Sequence, residues 1–372
     1  MIYFENASHG KEGFNTHLLS YTLCISLSEF LRRDFFFDFE IPCSTPPDFA
    51  SREEYQGKFD ILLNSGRSLV SDLVKIPGRR VFEIDRDVEN KISLQLAYSH
   101  FVTTEEIKAK FENTIIWNSF AIGRIPLTRE ELLGYDLIEW THTKLANPSA
   151  FYFLNKSEKN ALLEKVRIRY SDDLEDLVSK IRAQFGKFYS FHLRLGDFIG
   201  NYESDEYSVE VERFKKFVRA TFSDDSIPVL AATDGLYEKE MFADMFEGYK
   251  LVFIDELVFD EFHEEYKNLE FTDFNSLSII NQLLCANAEI FIGTYRSTFT
   301  TVIHRLRQER FRKTDFNFFP DGRVATLLDA DYQIQPDQSG FFEWNKYSPF
   351  TTKHEAMAWM REWNYEMTSL DF

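Results

Sequence analysis

From Phe188 to Arg310 the chain alternates short apolar runs with segments of helical spacing, and this alternation restricts its fold more than any other feature. Tyr189 to Arg194 reads as a strand, Val209 to Thr221 as a helix, Val229 to Thr233 as a strand and Glu238 to Met245 as a helix. Leu251 to Ile254 reads as a strand, Phe274 to Ala288 as a helix, Ile290 to Ile292 as a strand and Ser297 to Arg310 as a helix. Strands separated by helices cannot be neighbouring hairpins, so they form a parallel sheet with helices on both faces. Ligands of such sheets bind beyond the carboxyl ends of the strands. Arg194, Asp234 and the stretch Gly293 to Ser297 all fall there.

The amino-terminal half repeats the pattern less regularly. Ile2 to Glu5 reads as a strand, Ala7 to Asn15 as a polar loop with two glycines, and Thr16 to Arg33 as a helix with apolar residues at 18, 19, 23, 27, 30 and 31. A helix entered from such a loop presents free N–H groups to an anion, and Asn15 stands where an N-cap or a ligand-facing amide belongs. Phe35 to Phe39, Phe59 to Leu63, Arg80 to Ile84 and Thr114 to Trp117 read as further strands. Leu127 to Lys180 reads as mainly helical, which places a domain boundary near its end, with domains at 1–180 and 181–372. At 372 residues the chain has the length for two such domains, and its 39 phenylalanines supply bulky core. Lys353 to Trp363 reads as a short amphipathic helix that could pack back on the first domain.

A formal net charge of -19 argues against nucleic acid and anionic membrane as partners and requires any anion site to be a local basic island. Cys24, Cys43 and Cys285 lack metal-ligand spacing and are too few for a disulfide framework, so they read as small buried residues. The start, MIYFENASHG, carries no signal-like region, and no apolar run reaches the roughly 18 residues of a membrane span. The expectation is a soluble cytoplasmic protein, or a secretory one if the chain is trimmed.

Two stretches are candidates for chemistry. Phe191 to Asp197 reads FHLRLGD, and period 2 puts His192 and Arg194 on the same side of a strand as it enters a glycine-bearing turn. Two donors side by side suit a phosphate or diphosphate, whereas a buried strand with an Arg194–Asp197 ion pair is the plainer alternative. Glu289 to Arg307, EIFIGTYRSTFTTVIHRLR, runs from a buried strand through a loop with Thr294, Arg296 and Ser297 into a helix starting at Thr298. Hydroxyls and amides at that helix start form a phosphate cradle, with Ser297 as an ordinary N-cap as the alternative. No GxxxxGK[ST] occurs, which disfavours a Walker-type NTPase.

HLRLGDF, LAATD and FIGTYRSTF in that order, preceded by KEGFN, resemble the protein O-fucosyltransferases, in particular the branch that modifies thrombospondin-type repeats. The resemblance spans Phe191 to Arg310 together with the first loop. It implies an α/β GT-B fold, two Rossmann-like doubly wound domains facing across a cleft, with the acceptor side and catalytic loop in the first and nucleotide-sugar binding in the second. It implies inverting, metal-independent transfer of fucose from GDP-fucose to a protein Ser or Thr, with no cofactor. Carried over residue by residue, it makes Glu12 the general base within the Gly13–Phe14–Asn15 loop and Asn15 a donor contact. It assigns His192 and Arg194 to the nucleotide and diphosphate, Asp234 to the strand-end motif, and Ser297, Thr298 and Phe299 to phosphate and base edge. The chemistry is consistent, since inversion needs a carboxylate to accept the acceptor proton and cations for the leaving diphosphate.

The chain departs from the family pattern at Leu195 and Gly196, which stand where a second arginine is expected, and at Asn281 in IINQ, which replaces a guanine-contacting acid. A glycan acceptor, or a silent nucleotide-sugar binding role, are the alternative readings. Asp85, Arg86 and Asp87 spell a DxD, but in a chain with 61 acidic residues a strand-end charge pair is the simpler reading.

Overall fold

The computed structural model describes residues 1–4, 14–15, 18, 25, 28–29, 31–37, 73–75, 83–97, 115–118, 129–141, 169–193, 218–233, 242, 246–294, 298–310, 315–318 and 324–327. The described residues up to 169 belong to one compact unit and those from 170 onward to another.

The first unit contains β1 (Ile2–Phe4), β2 (Phe35–Phe37), β3 (Val74–Lys75), β4 (Lys91–Ala97), β5 (Ile115–Asn118), the short helix α1 (Arg129–Leu133) and β6 (Leu137–Thr141). Five of these strands form a sheet in the order β2-β1-β6-β4-β5, every pair parallel. Period 2 sorts its faces. Ile2, Phe35 and Ile138 lie in one cross-strand row and are all fully buried. The next row, Tyr3, Phe36 and Glu139, projects to the opposite face. Residues 14, 15, 18, 25, 28, 29 and 31 are helical, and of these Phe14, Leu18, Ile25 and Leu31 are buried apolar residues. Asn15 is itself helical and follows helical Phe14, so it is not an N-cap.

Two expectations change here. Residues 137–141 are a central strand, not part of a helical stretch, because pairing to β1 and β4 on both sides satisfies their backbone groups. Glu83 and Ile84 lie in no strand. The strand of that region is β4, whose Ile92, Leu94 and Leu96 alternate with polar neighbours.

The passage between units carries β7 (Arg169–Tyr170). The second unit holds α2 (Asp172–Phe185), β8 (Tyr189–Leu193), β9 (Val229–Thr233), β10 (Leu251–Phe253), α3 (Ile254–Asp260), α4 (His263–Lys267), α5 (Phe274–Asn287), β11 (Phe291–Thr294), α6 (Thr298–Arg310), β12 (Asp315–Phe318) and β13 (Val324–Leu327). The sheet order is β10-β9-β8-β11-β12-β13, parallel except for the β12–β13 pair. The sequence reading contained neither α3 and α4 nor β12 and β13, and it took Ile254 as strand where the structure starts α3.

Both faces of this sheet are covered. Tyr189, Phe191 and Leu193 point to a cluster with Val218, Phe222, Phe242 and Phe246, where Phe191 stacks on Phe246 at 4.9 Å. Ser190 points the other way and donates to the carbonyl of Cys285 at 3.3 Å, placing α5 on that face. A strand buried on both sides reads as a continuous apolar run, which is why β8 was visible in sequence. The start of α5 is held by a capping box: Asp273 accepts from the amides of Asn275 and Ser276 at 3.0 Å, while Ser276 Oγ accepts from the Asp273 amide at 3.0 Å. Such a cap stabilises a helix by about 1 kcal/mol. Among the described residues no helix is long and apolar enough to cross a membrane.

Candidate active site

In the second unit the strand order reverses between β8 and β11: β9 and β10 extend one way from β8, and β12 and β13 the other from β11. Ligands of doubly wound sheets collect at such a reversal, outside the carboxyl ends. His192 occupies the penultimate position of β8, and α6 begins four residues after β11 ends. The two meet. His192 Nδ1 and Thr300 Oγ1 share a 2.8 Å hydrogen bond, and the imidazole stacks on the Phe299 ring with centroids 4.5 Å apart.

This approach depends on Gly293. A Cβ at that position would lie 2.2 Å from Thr300 Cγ2, well inside contact distance, so only glycine lets the first turn of α6 settle against β11. The far side of β8 is dry: Cys285 is fully buried, and desolvation pushes its thiol up to about 12. Burial likewise raises the Tyr266 phenol, which donates to the Asp273 carbonyl at 3.0 Å.

Asn281 lies on α5 and is 5% exposed. Its Nδ2 donates to Asp255 Oδ1 at 2.7 Å and to the Leu277 carbonyl at 2.9 Å. Thus His192 and Phe299 are brought together at the reversal, Thr298 opens α6, and Asn281 is bonded to a carboxylate absent from the sequence reading. Thr300 and Asp255 were both missed. Thr300 was hidden among the hydroxyls of STFTT, and Asp255 looked like any acid following a strand. Glu12, Gly13, Arg194, Asp234 and Ser297 lie outside the described residues, as do Leu195 and Gly196, whereas Phe14 and Asn15 are buried helical residues of the first unit.

In the first unit Asp85 Oδ1 accepts from the Asp87 amide at 2.9 Å, closing a turn with both acids exposed. Arg86 between them reaches back over the sheet, donating to Glu139 Oε1 at 2.9 Å and to the Tyr3 hydroxyl at 3.1 Å. The arginine between the two acids is thus engaged by Glu139 and Tyr3. Among the described residues no three His, Cys, Asp or Glu side chains are grouped to hold a metal.

The model of the family described as GDP-fucose protein O-fucosyltransferase matches residues 13–310, most of the chain. The chain belongs to the GDP-fucose protein O-fucosyltransferase family. For this fucosyltransferase-family chain, the human GDP-fucose protein O-fucosyltransferase 2 is 30% identical over 145 residues, covering 38% of this chain and 31% of the human protein. The Drosophila melanogaster protein of the same name is 30% identical over 135 residues, 35% of this chain and 25% of its own. The chain thus matches less than a third of the length of these curated relatives. Among solved structures, the fucosyltransferase NodZ from Bradyrhizobium aligns over 88% of this chain and 98% of its own at 10% identity, with a TM-score of 0.48. The family match takes in β8, α5, β11 and α6, and begins one residue after Glu12.

Proposed function

We propose that this chain is a GT-B glycosyltransferase that moves fucose from GDP-fucose to a Ser or Thr hydroxyl of an acceptor protein, in a single inverting displacement that needs no metal. The observation that supports this most directly is the His192–Thr300–Phe299 arrangement at the strand-order reversal, inside the stretch matched by the family.

Residues 181–372 take the donor and residues 1–180 supply the acceptor side and the catalytic loop. Glu12 accepts the proton of the acceptor hydroxyl as its oxygen attacks the anomeric carbon, and the bond from that carbon to the diphosphate breaks. Arg194 and His192 carry the charge that builds on the departing GDP, assisted by Ser297, Thr298 and the amides opening α6. The Thr300 bond holds the imidazole at Nδ1, and in the tautomer where the hydroxyl is the donor His192 carries its proton on Nε2 and can present it to a phosphate oxygen. Asn15, Gly13 and Phe14 shape the donor side of the loop, Asp234 the sugar side, and Phe299 and Asn281 the base.

The test is transfer by the purified full chain from labelled GDP-fucose, with EDTA present, to a panel of peptides and oligosaccharides. Peptide labelling that EDTA does not slow, with the product's anomeric configuration opposite to the donor's, is expected. Labelling of oligosaccharides alone overturns the protein acceptor, and a melting temperature unmoved by GDP but raised by UDP or ADP overturns the donor.

A further inference from the structure

Arg307 lies about two turns along α6 from Thr300 on the same side of the helix, and both are buried, with His304 buried between them. A buried helix face ordinarily carries apolar residues, and α6 does bury Val302, Ile303 and Leu306. Its polar members make directional contacts as well. Arg307 Nη1 donates to the carbonyls of Ala288 at 2.6 Å, Ala286 at 3.0 Å and Cys285 at 3.4 Å, and Nη2 donates to that of Glu289 at 3.4 Å. These carbonyls belong to the end of α5 and the turn from it into β11. That segment is itself fastened to β8. Ser190 Oγ donates to the Cys285 carbonyl at 3.3 Å, and the Glu289 amide donates to the Phe188 carbonyl at 2.8 Å. Helix α6 is therefore tied to β8 twice: directly through Thr300 and His192, and about 10 Å further along its axis through Arg307 and the turn.

We propose that Arg307 is a positioning residue, which fixes the axial placement and rotation of α6 and thereby the contact of Thr300 with His192; that this contact serves a diphosphate rests on the donor reading above. One attachment point leaves a rigid helix free to pivot, and two well-separated points do not. Apolar burial is a poor second point, because it is non-directional and changes little when side chains slide past one another. Hydrogen bonds are stricter. Their usable donor–acceptor distance spans only about 0.5 Å, so a shift of that size at the Arg307 end of the helix is felt at Thr300. The guanidinium fork grips several carbonyls at once, which the ammonium of a lysine on its flexible stem does not reproduce. Arg307 thus acts on the site only through α6.

The experiment compares the full chain as wild type, Arg307→Lys, Thr300→Val and the double variant, all held well below their melting temperatures. The ring nitrogens of His192 are read by NMR on histidine-labelled chain without nucleotide, with the signal assigned by His192→Gln. Transfer is measured from GDP-fucose to the best acceptor of the panel above. Arg307→Lys should move the His192 signal in the direction of Thr300→Val and lower kcat by about tenfold. Because both substitutions act on one contact, the double variant should stay near the loss of Thr300→Val alone, whereas independent tenfold losses multiply to about a hundredfold. An arginine that only stabilises the fold lowers the melting temperature and leaves the His192 signal and the kcat of the folded chain unchanged. An unmoved signal in Arg307→Lys, or multiplied losses in the double variant, overturns the positioning role. Arg307→Gln, which keeps two N–H donors without the charge, carries the same comparison if Arg307→Lys does not fold. A wild type that neither transfers fucose nor binds GDP overturns the donor reading, and the His192 signal then decides the role of Arg307 by itself.

Discussion

Thr300 Oγ1 sits 2.8 Å from His192 Nδ1, and this bond ties the first turn of α6 to the end of β8 across the strand-order reversal. Thr300→Val preserves the shape and removes the hydroxyl, and with it the hydrogen bond to a buried ring nitrogen. Stability should fall by about 1 to 3 kcal/mol in urea titration. On the proposed mechanism, in which His192 serves the leaving diphosphate, fucosyl transfer should drop by roughly tenfold or more with the loss mainly in kcat. Transfer at the wild-type rate would separate His192 from the chemistry.

Gly293 and Thr300 are in steric balance. Gly293→Ala places a methyl where Thr300 Cγ2 already lies, so α6 must move outward at its start. The expected cost is about 1 to 3 kcal/mol together with weakened GDP binding. Adding Thr300→Ser removes Cγ2 but keeps the hydroxyl, and the double variant should regain part of both losses. The thermal melts of the two variants, with and without GDP, decide it.

Arg307 is fully buried on α6, and its Nη1 donates to the carbonyls of Ala288 at 2.6 Å and Ala286 at 3.0 Å at the end of α5. A cation is favoured there both by the unmatched carbonyls and by the negative end of the helix dipole. Arg307→Met should therefore cost about 3 kcal/mol or more, because the carbonyls stay buried without their donor. Arg307→Lys keeps the charge but not the fork, and should fall between the two in a denaturant series.

Glu139 links stability to pH. Burial pushes its carboxyl up, but hydrogen bonds from Arg86 and Ser93 and the charges of Arg86 and Lys91 together outweigh this and hold it below the ordinary glutamate range. A depressed folded-state value means the stabilisation is fully present above the ordinary glutamate range. It is lost as pH falls through that range toward the folded-state value. The melting temperature of the wild type should drop more steeply on acidification than that of Glu139→Gln, which has no proton to take up at this position. Parallel curves would show that the Arg86–Glu139 pair contributes nothing to acid stability.

The degree to which each element could be read in the sequence follows from how locally its cause is encoded. β8, β9 and α5 are buried on both faces or capped by their own residues, as with Asp273 and Ser276, so periodicity and capping chemistry suffice. β6 was taken for helix because its LIEWT segment lies among charged residues, and only its two neighbours in the sheet make it a strand. In the same way the sequence at Asp85 and Asp87 showed only a strand-end charge pair, and the engagement of the arginine between them by Glu139, some fifty positions away, is visible only in the fold.

The site divides along the same line. Ordered motifs in the sequence determined the family and the alternating α/β class, and pointed to His192 and the STF helix start as candidates, because each is a contiguous pattern of residue types. Tertiary structure alone brought Thr300 under His192, required glycine at 293, and set Asp255 against Asn281. Hydrogen bonds and close packing act through space over about 3 to 4 Å. Residues 108 positions apart for His192 and Thr300, and 26 apart for Asp255 and Asn281, acquire these relations only once the sheet has ordered its strands.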